Sequence, residues 1–398
     1  MEWELKTMAD IAEPVNGIVD GPFGSNLKKS DYIDDSENGI PVLTTKNLHG
    51  DYSKDSVRYI STGKYETLKR STVYPGDILV AKIGSIGTCG IYPLSCKNAL
   101  IPANLLKITV LPTVDRKYVY YYIQSRGFQE KIKAISTATA QPAFNVTKFR
   151  KLHIPIPPLP EQERIVARIE ELFSQLDAGV KTLKKTKAQL AMYRQAVLKE
   201  AFKKVSSHVA LGSISESRLG KMLDKEKNVG EPRLYLRNIN VRWFSFDLDD
   251  VLKMRIEENE LDKYSLRKGD LVICEGGEPG RCAVWDRDDA ICYQKALHRV
   301  RFTDGSNPEF YMYYLWYAAK TGQLESLFTG TGIKHLTGQS LVKVSVPTAE
   351  IATQNSIVSE IESRLSACDS IEQTVDAALQ QAEAMRQSIL KDGFERNL

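Results

Sequence analysis

The chain states one plan twice. Gly76–Asp77–Ile78–Leu79–Val80 leads through Gly84 and Gly87 to Cys89, and 193 residues later Gly269–Asp270–Leu271–Val272–Ile273 leads through Gly277 and Gly280 to Cys282. Phe23–Gly24 with Leu27 is matched by Leu219–Gly220 with Leu223, an offset of 196. Tyr193–Arg194–Gln195–Ala196–Val197–Leu198–Lys199 with Phe202 is matched by Met385–Arg386–Gln387–Ser388–Ile389–Leu390–Lys391 with Phe394, an offset of 192. Drifting offsets are the mark of an old duplication that has gained and lost residues. The period is far longer than the roughly 20–50 residues of a solenoid. It implies two similar domains in tandem and a pseudo-twofold molecule, a symmetry that suits a partner with twofold character, duplex DNA above all.

The 398 residues suffice for two to three domains with their own cores. A hydrophobic content of 42% indicates a globular chain rather than a disordered one. No run reaches the roughly 18 consecutive apolar residues of a membrane span. Met1–Glu2–Trp3–Glu4–Leu5–Lys6 lacks a basic-then-apolar signal pattern, so a cytoplasmic protein is expected. The cysteines (Cys89, Cys96, Cys274, Cys282, Cys292, Cys368) have no CxxC spacing and the histidines are scattered; buried free thiols and no metal site are expected.

Charge is distributed unevenly along the chain. Residues 1–159 carry 20 Lys/Arg against 15 Asp/Glu, and residues 160–205 carry 10 against 6. Residues 206–349 are balanced at 20 against 20, and residues 350–398 are acidic at 4 against 9. The first stretch is ready to meet a polyanion. The third is not, by charge alone.

These boundaries also divide the chain structurally, into globule 1–159, long helix 160–205, globule 206–349 and long helix 350–398. The fold class is α+β, with mixed α/β globules. Ile78–Leu79–Val80–Ala81, Leu105–Leu106–Lys107–Ile108–Thr109–Val110 and Leu271–Val272–Ile273–Cys274 read as strands. The Gly84/Gly87/Gly90 and Gly276/Gly277/Gly280 clusters resemble phosphate cradles only loosely and read better as hairpin turns. Ile154–Pro155–Ile156–Pro157–Pro158–Leu159–Pro160 makes a stiff exit from the first globule, after which Pro160, Glu161 and Glu163 suit the first turn of a helix.

Apolar residues then recur at three-four spacing: Ile165, Ile169, Leu172, Leu176, Val180, Leu183, Leu190 and Val197, followed by Leu198 and Phe202. The second helix repeats the stripe with Ile357, Ile361, Leu365, Cys368, Val375, Ala382, Met385 and Ile389, followed by Leu390 and Phe394. At ~1.5 Å per residue each helix reaches roughly 60 Å. A single apolar stripe on so long a helix needs a partner. The first helix is basic, above all from Lys181 to Lys187, and the second acidic, so an antiparallel pair with the globules at opposite ends is expected. The alternative is that each helix docks on its own globule.

Catalytic constellations are missing from the sequence. It has no GxxxxGK[ST] loop, no HExxH, no GxSxG and no GxGxxG after a convincing strand. Ile156–Pro157–Pro158–Leu159 has the prolines of an amino-methyltransferase tetrapeptide without its polar head. What remains are polar, Gly-rich and basic loops at matching places. The first, Gly21 to Tyr32, offers Gly24, Ser25, Asn26, Lys28 and Lys29; its counterpart runs from Arg218 to Lys225 and includes Lys221. Thr44–Thr45–Lys46–Asn47 is paired with Tyr235–Leu236–Arg237–Asn238, each a cation beside an asparagine that could read guanine and adenine. Equally, Asn47 and Asn238 could only close turns. The third pair is Ala138 to Asn145, with Gln141 and Asn145, and Gly330 to His335, with Lys334 and His335. Lys82 and Arg281 complete the candidate DNA-binding set.

Taken in order, these segments resemble the specificity (S) subunit of type I restriction–modification systems, over almost the whole chain. The resemblance rests on Gly21–Pro22–Phe23–Gly24–Ser25, on Ile156–Pro157–Pro158–Leu159–Pro160–Glu161–Gln162, and on the two helix ends beginning at Arg194 and Arg386. Gly220–Lys221–Met222–Leu223–Asp224 and Tyr235–Leu236–Arg237–Asn238–Ile239–Asn240–Val241 also look like one variety of the family's target-recognition domain. The resemblance implies that each globule reads half of a bipartite DNA site, while the paired helices set the spacing and dock two modification subunits. It implies no catalysis and no cofactor in this chain. S-adenosylmethionine would lie on the modification subunits, and ATP and Mg on the restriction (translocase and nuclease) subunits. One departure is Thr353–Gln354 where the first helix has Glu161–Gln162, after the less proline-rich Pro347–Thr348–Ala349–Glu350. Because the globules differ in nearly every polar residue, the half-sites should differ. Two other readings are a DNA methyltransferase with an unrecognised site and a coiled-coil scaffold that binds no DNA.

Overall fold

Two polypeptide stretches meet in the first of two compact units, residues up to Leu183 and residues from Ala377 onward; the second unit is Lys184–Asp376. The computed structural model describes residues 3–395 except Ser25, Asp35, Ser36, residues 138–140 and Lys225, and except the side chain of Lys54.

Each unit is built on the same four-stranded antiparallel sheet. In the first unit the order is Ile18–Asp20, Leu105–Ile108, Ile78–Ala81, Cys89–Ile91; in the second it is Ser215–Leu219, Leu297–Phe302, Leu271–Cys274, Cys282–Val284. Ile78 pairs with Ile91 and Leu271 with Val284, so the duplicated apolar runs occupy the same register. The glycine clusters are hairpin turns, as the sequence indicates. Gly84 and Gly87 (φ +83° and +82°) and Gly277 and Gly280 (φ +76° and +94°) hold left-handed backbone that a side chain would strain. Gly87 N–H donates to the Ala81 carbonyl and Gly280 N–H to the Cys274 carbonyl, closing both turns alike.

A second sheet flanks the first in each unit. In the first unit it has five strands, with Arg58–Ile60, Ile40–Val42 and Ala99–Leu100 at its centre; in the second it has three, Leu252–Ile256, Glu231–Leu236 and Cys292–Tyr293. A two-stranded pair closes each unit, Glu4–Thr7 with His153–Ile156 and His208–Ala210 with Ser345–Pro347.

One buried glutamine per unit fixes where a long helix begins. The helix Leu159–Lys203 starts beside Gln162, whose Oε1 accepts from the Asp115 backbone N–H (2.9 Å) while its Nε2 donates to the Pro157 carbonyl (2.7 Å). The helix Ile351–Phe394 starts beside Gln354, whose Oε1 accepts from the Asn307 N–H (2.8 Å) and whose Nε2 donates to the Ala349 carbonyl (2.8 Å). Asp115 and Asn307 are the N-caps of the helices Arg116–Gln124 and Pro308–Lys320. Thr353–Gln354 thus differs from Glu161–Gln162 only at the position that makes no such contact.

The long helices pair within each unit, and they also complete its core. In the first unit Ile165, Ile169 and Phe173 pack with Ile389 and Leu390, against Tyr118, Tyr122 and Phe149. Phe394 meets Tyr118 and Tyr122 edge-on at 5.2 and 5.0 Å, contacts each worth about 0.5–1.5 kcal/mol beyond area burial. In the second unit Val197, Leu198 and Phe202 pack with Ile357 and Ile361, and Phe202 meets Phe310 and Tyr314 at 5.4 and 5.2 Å. The expected pairing is present, and the alternative, that each helix docks on its own globule, is half right. A globule takes the start of one helix and the end of the other.

Leu190 and Val375 are buried, and Leu172, Leu176, Leu183 and Leu365 are partly so. Met385 departs from the expected stripe, being 48% exposed. In the second unit Lys187 pairs with Asp376 (2.7 Å), Arg194 with Asp369 and Glu372 (2.6 and 2.7 Å), and Lys204 with Glu360 (2.5 Å). Rising numbers meet falling ones, so the two segments run antiparallel. Arg194, with Lys187, holds the Glu372 carboxyl below its usual range. In the first unit Arg386 joins Asp177 and lies over the Phe173 ring. Lys181, Lys184 and Lys185 stay exposed, so the basic run contributes less to pairing than its charge suggests.

Replacing Gln162 by Leu leaves the Asp115 N–H and the Pro157 carbonyl without partners, at a cost of about 1–3 kcal/mol. Denaturant unfolding should show that loss. Hydrogen exchange should quicken at the Asp115 amide and not at the Asn307 amide. Leu390→Ala is expected to cost about 2–5 kcal/mol and to loosen exchange throughout Arg116–Gln124. Protection unchanged there would mean that Leu390 serves helix pairing alone.

Candidate nucleic-acid interface

In the first unit the loop after Ile18–Asp20 is anchored by Gly21 and Leu27. Gly21 lies against the Ile101 and Pro102 backbone, where a Cβ would approach within 2.2 Å, and Leu27 is buried. Between and after these anchors Gly24, Asn26, Lys28 and Lys29 face solvent; Ser25 lies outside the described residues. The Lys28 backbone N–H and the Lys64 ammonium hold the Asp31 carboxyl below its usual range, fixing the turn that displays both lysines.

Lys82 does not join this display. It is buried, with its ammonium 2.6 Å from the Asp20 carboxylate and 5.0 Å from the centre of the Phe23 ring. Phe23 itself is 62% exposed. The Lys82 carbonyl accepts from Phe144 N–H and Gly84 N–H donates to the Pro142 carbonyl, so the third loop backs onto the hairpin turn. Gln141 and Asn145 are exposed beside it, and Asn145 caps the short helix Val146–Arg150 by accepting from Thr147 N–H. Residues 138–140 of that loop lie outside the described residues.

The second candidate segment closes a turn, and this corrects the sequence pairing. Asn47 is fully buried; its Oδ1 accepts from Thr44 N–H and its Nδ2 donates to the Asp51 carbonyl and to Ser56 Oγ. No edge is left for a base. In the second unit these bonds are made by Asn240, whose Oδ1 accepts from Arg237 N–H and whose Nδ2 donates to the Asp247 and Asp250 carbonyls. Thr44 to Asn47 therefore corresponds to Arg237 to Asn240, the same 193-residue offset as the hairpins. Lys46, exposed on the first of these turns, is matched by exposed Ile239.

Most cations singled out in the second unit are already neutralised. Lys221 lies 2.5 Å from Glu260, whose carboxyl it holds below the usual range. Arg237 donates to the Asp250 carboxylate at 2.6 Å. Arg281 donates to Asn238 Oδ1 at 2.8 Å, and Asn238 Nδ2 donates to the Gly276 carbonyl at 2.8 Å. Asn238 and Arg281 thus clasp the glycine turn and do not reach outward.

Lys334 and His335 do reach outward. Thr329 and His335 exchange both backbone hydrogen bonds, forming a small hairpin with Lys334 and His335 exposed and Ile333 71% exposed. Leu336 secures its base: its N–H donates to the Glu275 carbonyl, and its carbonyl lies 3.1 Å from Nε2 of buried His298. That contact requires the proton on Nε2, and burial pushes the imidazole below its ordinary value. Sequence reasoning passed over Phe23 and Ile333. Their signal is a large apolar residue set among glycines and cations in a turn, where no core can take it.

The six cysteines are free, and burial pushes the Cys89 thiol up to about 12 and those of Cys274 and Cys292 up to about 11. Among the described residues no group of three His, Cys, Asp or Glu could hold a metal ion, and no helix is long and apolar enough to cross a membrane.

Comparison with known proteins agrees with this geometry. Residues 1–191 and 206–381 each match the type I restriction modification DNA specificity domain. The chain is 25% identical to the type I restriction enzyme EcoKI specificity subunit of Escherichia coli K12, across all of this chain and 89% of that protein. It shares its fold with a chain solved in work on complex assembly and conformational transition of the type I R-M system (TM-score 0.76, 16% identity, covering 100% of this chain and 98% of that one). The HsdS subunit from Thermoanaerobacter tengcongensis has the same fold (TM-score 0.57, 16% identity, 100% and 97% covered). With two matched domains that repeat one scaffold and carry different outward side chains, the chain belongs to the family of type I restriction–modification DNA specificity proteins, which recognise DNA and do not catalyse.

Proposed function

We propose that each unit of this specificity protein reads one half of an asymmetric, bipartite duplex site. The supporting observation is one scaffold displaying two different sets of groups: Lys28, Lys29 and Lys46 in the first unit, Ile333, Lys334 and His335 in the second. Backbone turns, buried asparagines and glycine hairpins repeat; the outward groups do not. Unlike faces on like scaffolds suit unlike half-sites.

The long helices act as the spacer between the readers and as the seat for two modification subunits. The doubled Arg–Gln helix ends at Arg194 and Arg386 support two equivalent seats. S-adenosylmethionine belongs to those modification subunits, and ATP and Mg to restriction subunits that join the complex. The assembly works in the cytoplasm, where its DNA lies.

Two measurements test this reading. In cells expressing the chain with its modification subunit, methylome sequencing should give a bipartite, non-palindromic methyl-adenine motif that disappears when the chain is deleted. An active modification subunit with no such motif would favour a scaffold. Independently, Lys28→Gln/Lys29→Gln should lower the salt dependence of duplex binding by about 2 in log–log slope, with roughly −0.9 per phosphate contact. An unchanged slope would remove the first loop from the interface.

A further inference from the structure

The second unit poses a problem that its candidate loops do not solve. Its globule has equal numbers of cationic and anionic residues, and its cations are largely committed. Carboxylates lie within 4 Å of Lys221, Arg233, Arg237, Arg267, Lys268 and Arg287, among others. A duplex needs phosphate contacts from somewhere.

Two cations outside those pairs lie on the ribbon formed by Glu231–Leu236 and Leu252–Ile256. Its register sets Leu234 opposite Lys253 and Pro232 opposite Arg255. Opposed residues of an antiparallel pair point to the same face, so these four share one side. On the other side Tyr235, Met254 and Ile256 join a small core, while Glu231, Arg233 and Leu252 stay exposed. On the outer side Lys253 and Arg255 are exposed, and Leu234 is 46% exposed. Among the described residues neither cation has an ion pair; Arg255 spends one N–H on the Gly230 carbonyl (3.2 Å) and keeps the rest of its fork. Lys253 and Arg255 stand two residues apart, about 6.8 Å along a strand, which equals the rise of about two base pairs along the duplex axis.

The ribbon is also narrow. The parallel strand Cys292–Tyr293 meets the ribbon at Tyr235 and Leu236, so among the described residues the sheet from Glu231 to Leu234 is two strands wide. Such a ribbon fits the major groove. The corresponding strands of the first unit, Ile40–Val42 and Arg58–Ile60, are shorter; Pro41 lies 193 residues before Leu234, and its cross-strand partner Tyr59 stands where Lys253, the partner of Leu234, does. The basic face is thus particular to the unit that lacks net charge.

We infer that the outer face of this ribbon, through Lys253 and Arg255, is a phosphate-contacting surface that seats the second unit on duplex DNA; the inference rests on the DNA-reading function proposed above. The test uses the full chain with its modification subunit and a mixed-sequence duplex, titrated across a range of salt. Lys253→Gln/Arg255→Gln should lower the log–log slope by about 2 and weaken binding roughly tenfold at 0.15 M salt, while the motif selected from randomised duplexes stays the same. A control, Lys263→Gln/Lys343→Gln, removes the same charge elsewhere on the unit. An unchanged slope in the ribbon variant, or an equal fall in the control, would overturn the proposal. If the unaltered complex selects no duplex sequence at all, the DNA-reading function itself fails, and this surface with it.

Discussion

A carboxamide has one acceptor and one pair of donors on a short, stiff plane, and the fold uses that property at two equivalent places. Gln162 and Gln354 each bond to the N-cap amide of one helix and to a carbonyl just before another, so a globular helix and a long helix start from a common point. Both side chains are buried, where water cannot substitute for a lost partner. The long helices thereby leave their globules in a set direction. Under the proposed function a fixed exit is an advantage, since a swivelling one would blur the geometry with which the loops would meet a duplex.

The same economy governs the charged groups. Counting lysines and arginines suggested a basic first globule and a neutral second one, and the structure shows which of those charges are still available. Lys82, Lys221 and Arg237 are paired inside their units, whereas Lys28, Lys29, Lys46 and Lys334 stand in solvent. Paired cations stiffen the loops; free ones can meet phosphate. Both kinds are needed, because a loop that reads bases must hold its shape while its tips remain unsatisfied.

Much of this was legible in the sequence. The doubled glycine spacing marked the hairpins, the three-four stripe marked the long helices, and the doubled Phe202 and Phe394 marked their ends. Other features were hidden for a physical reason. Lys82 meets Asp20 from 62 residues away and Arg281 meets Asn238 from 43, and no local pattern announces such partners. Asn47 was matched with Asn238 because each follows a cation, yet the bonds that define the position belong to Asn240. Side-chain capping is a statement about three-dimensional neighbours, and a residue-type match of two letters cannot carry it. The alternation Leu252–Lys253–Met254–Arg255–Ile256 carries the period of a strand with one basic face, a signal the sequence reading passed over.

The split composition of the first unit also fixes an order of events during synthesis. Its sheets and the beginning of its long helix leave the ribosome early, but Ile389, Leu390 and Phe394, which fill the space beside Ile165, Tyr118 and Tyr122, emerge only after every residue of the second unit. The first unit must therefore wait, with an apolar cleft open, while the second is made. Nascent chains usually fold from the N-terminus onward; here the unit translated first is the last to close. Until Ile389, Leu390 and Phe394 are made, the apolar surface of Ile165, Tyr118 and Tyr122 lacks the residues that cover it.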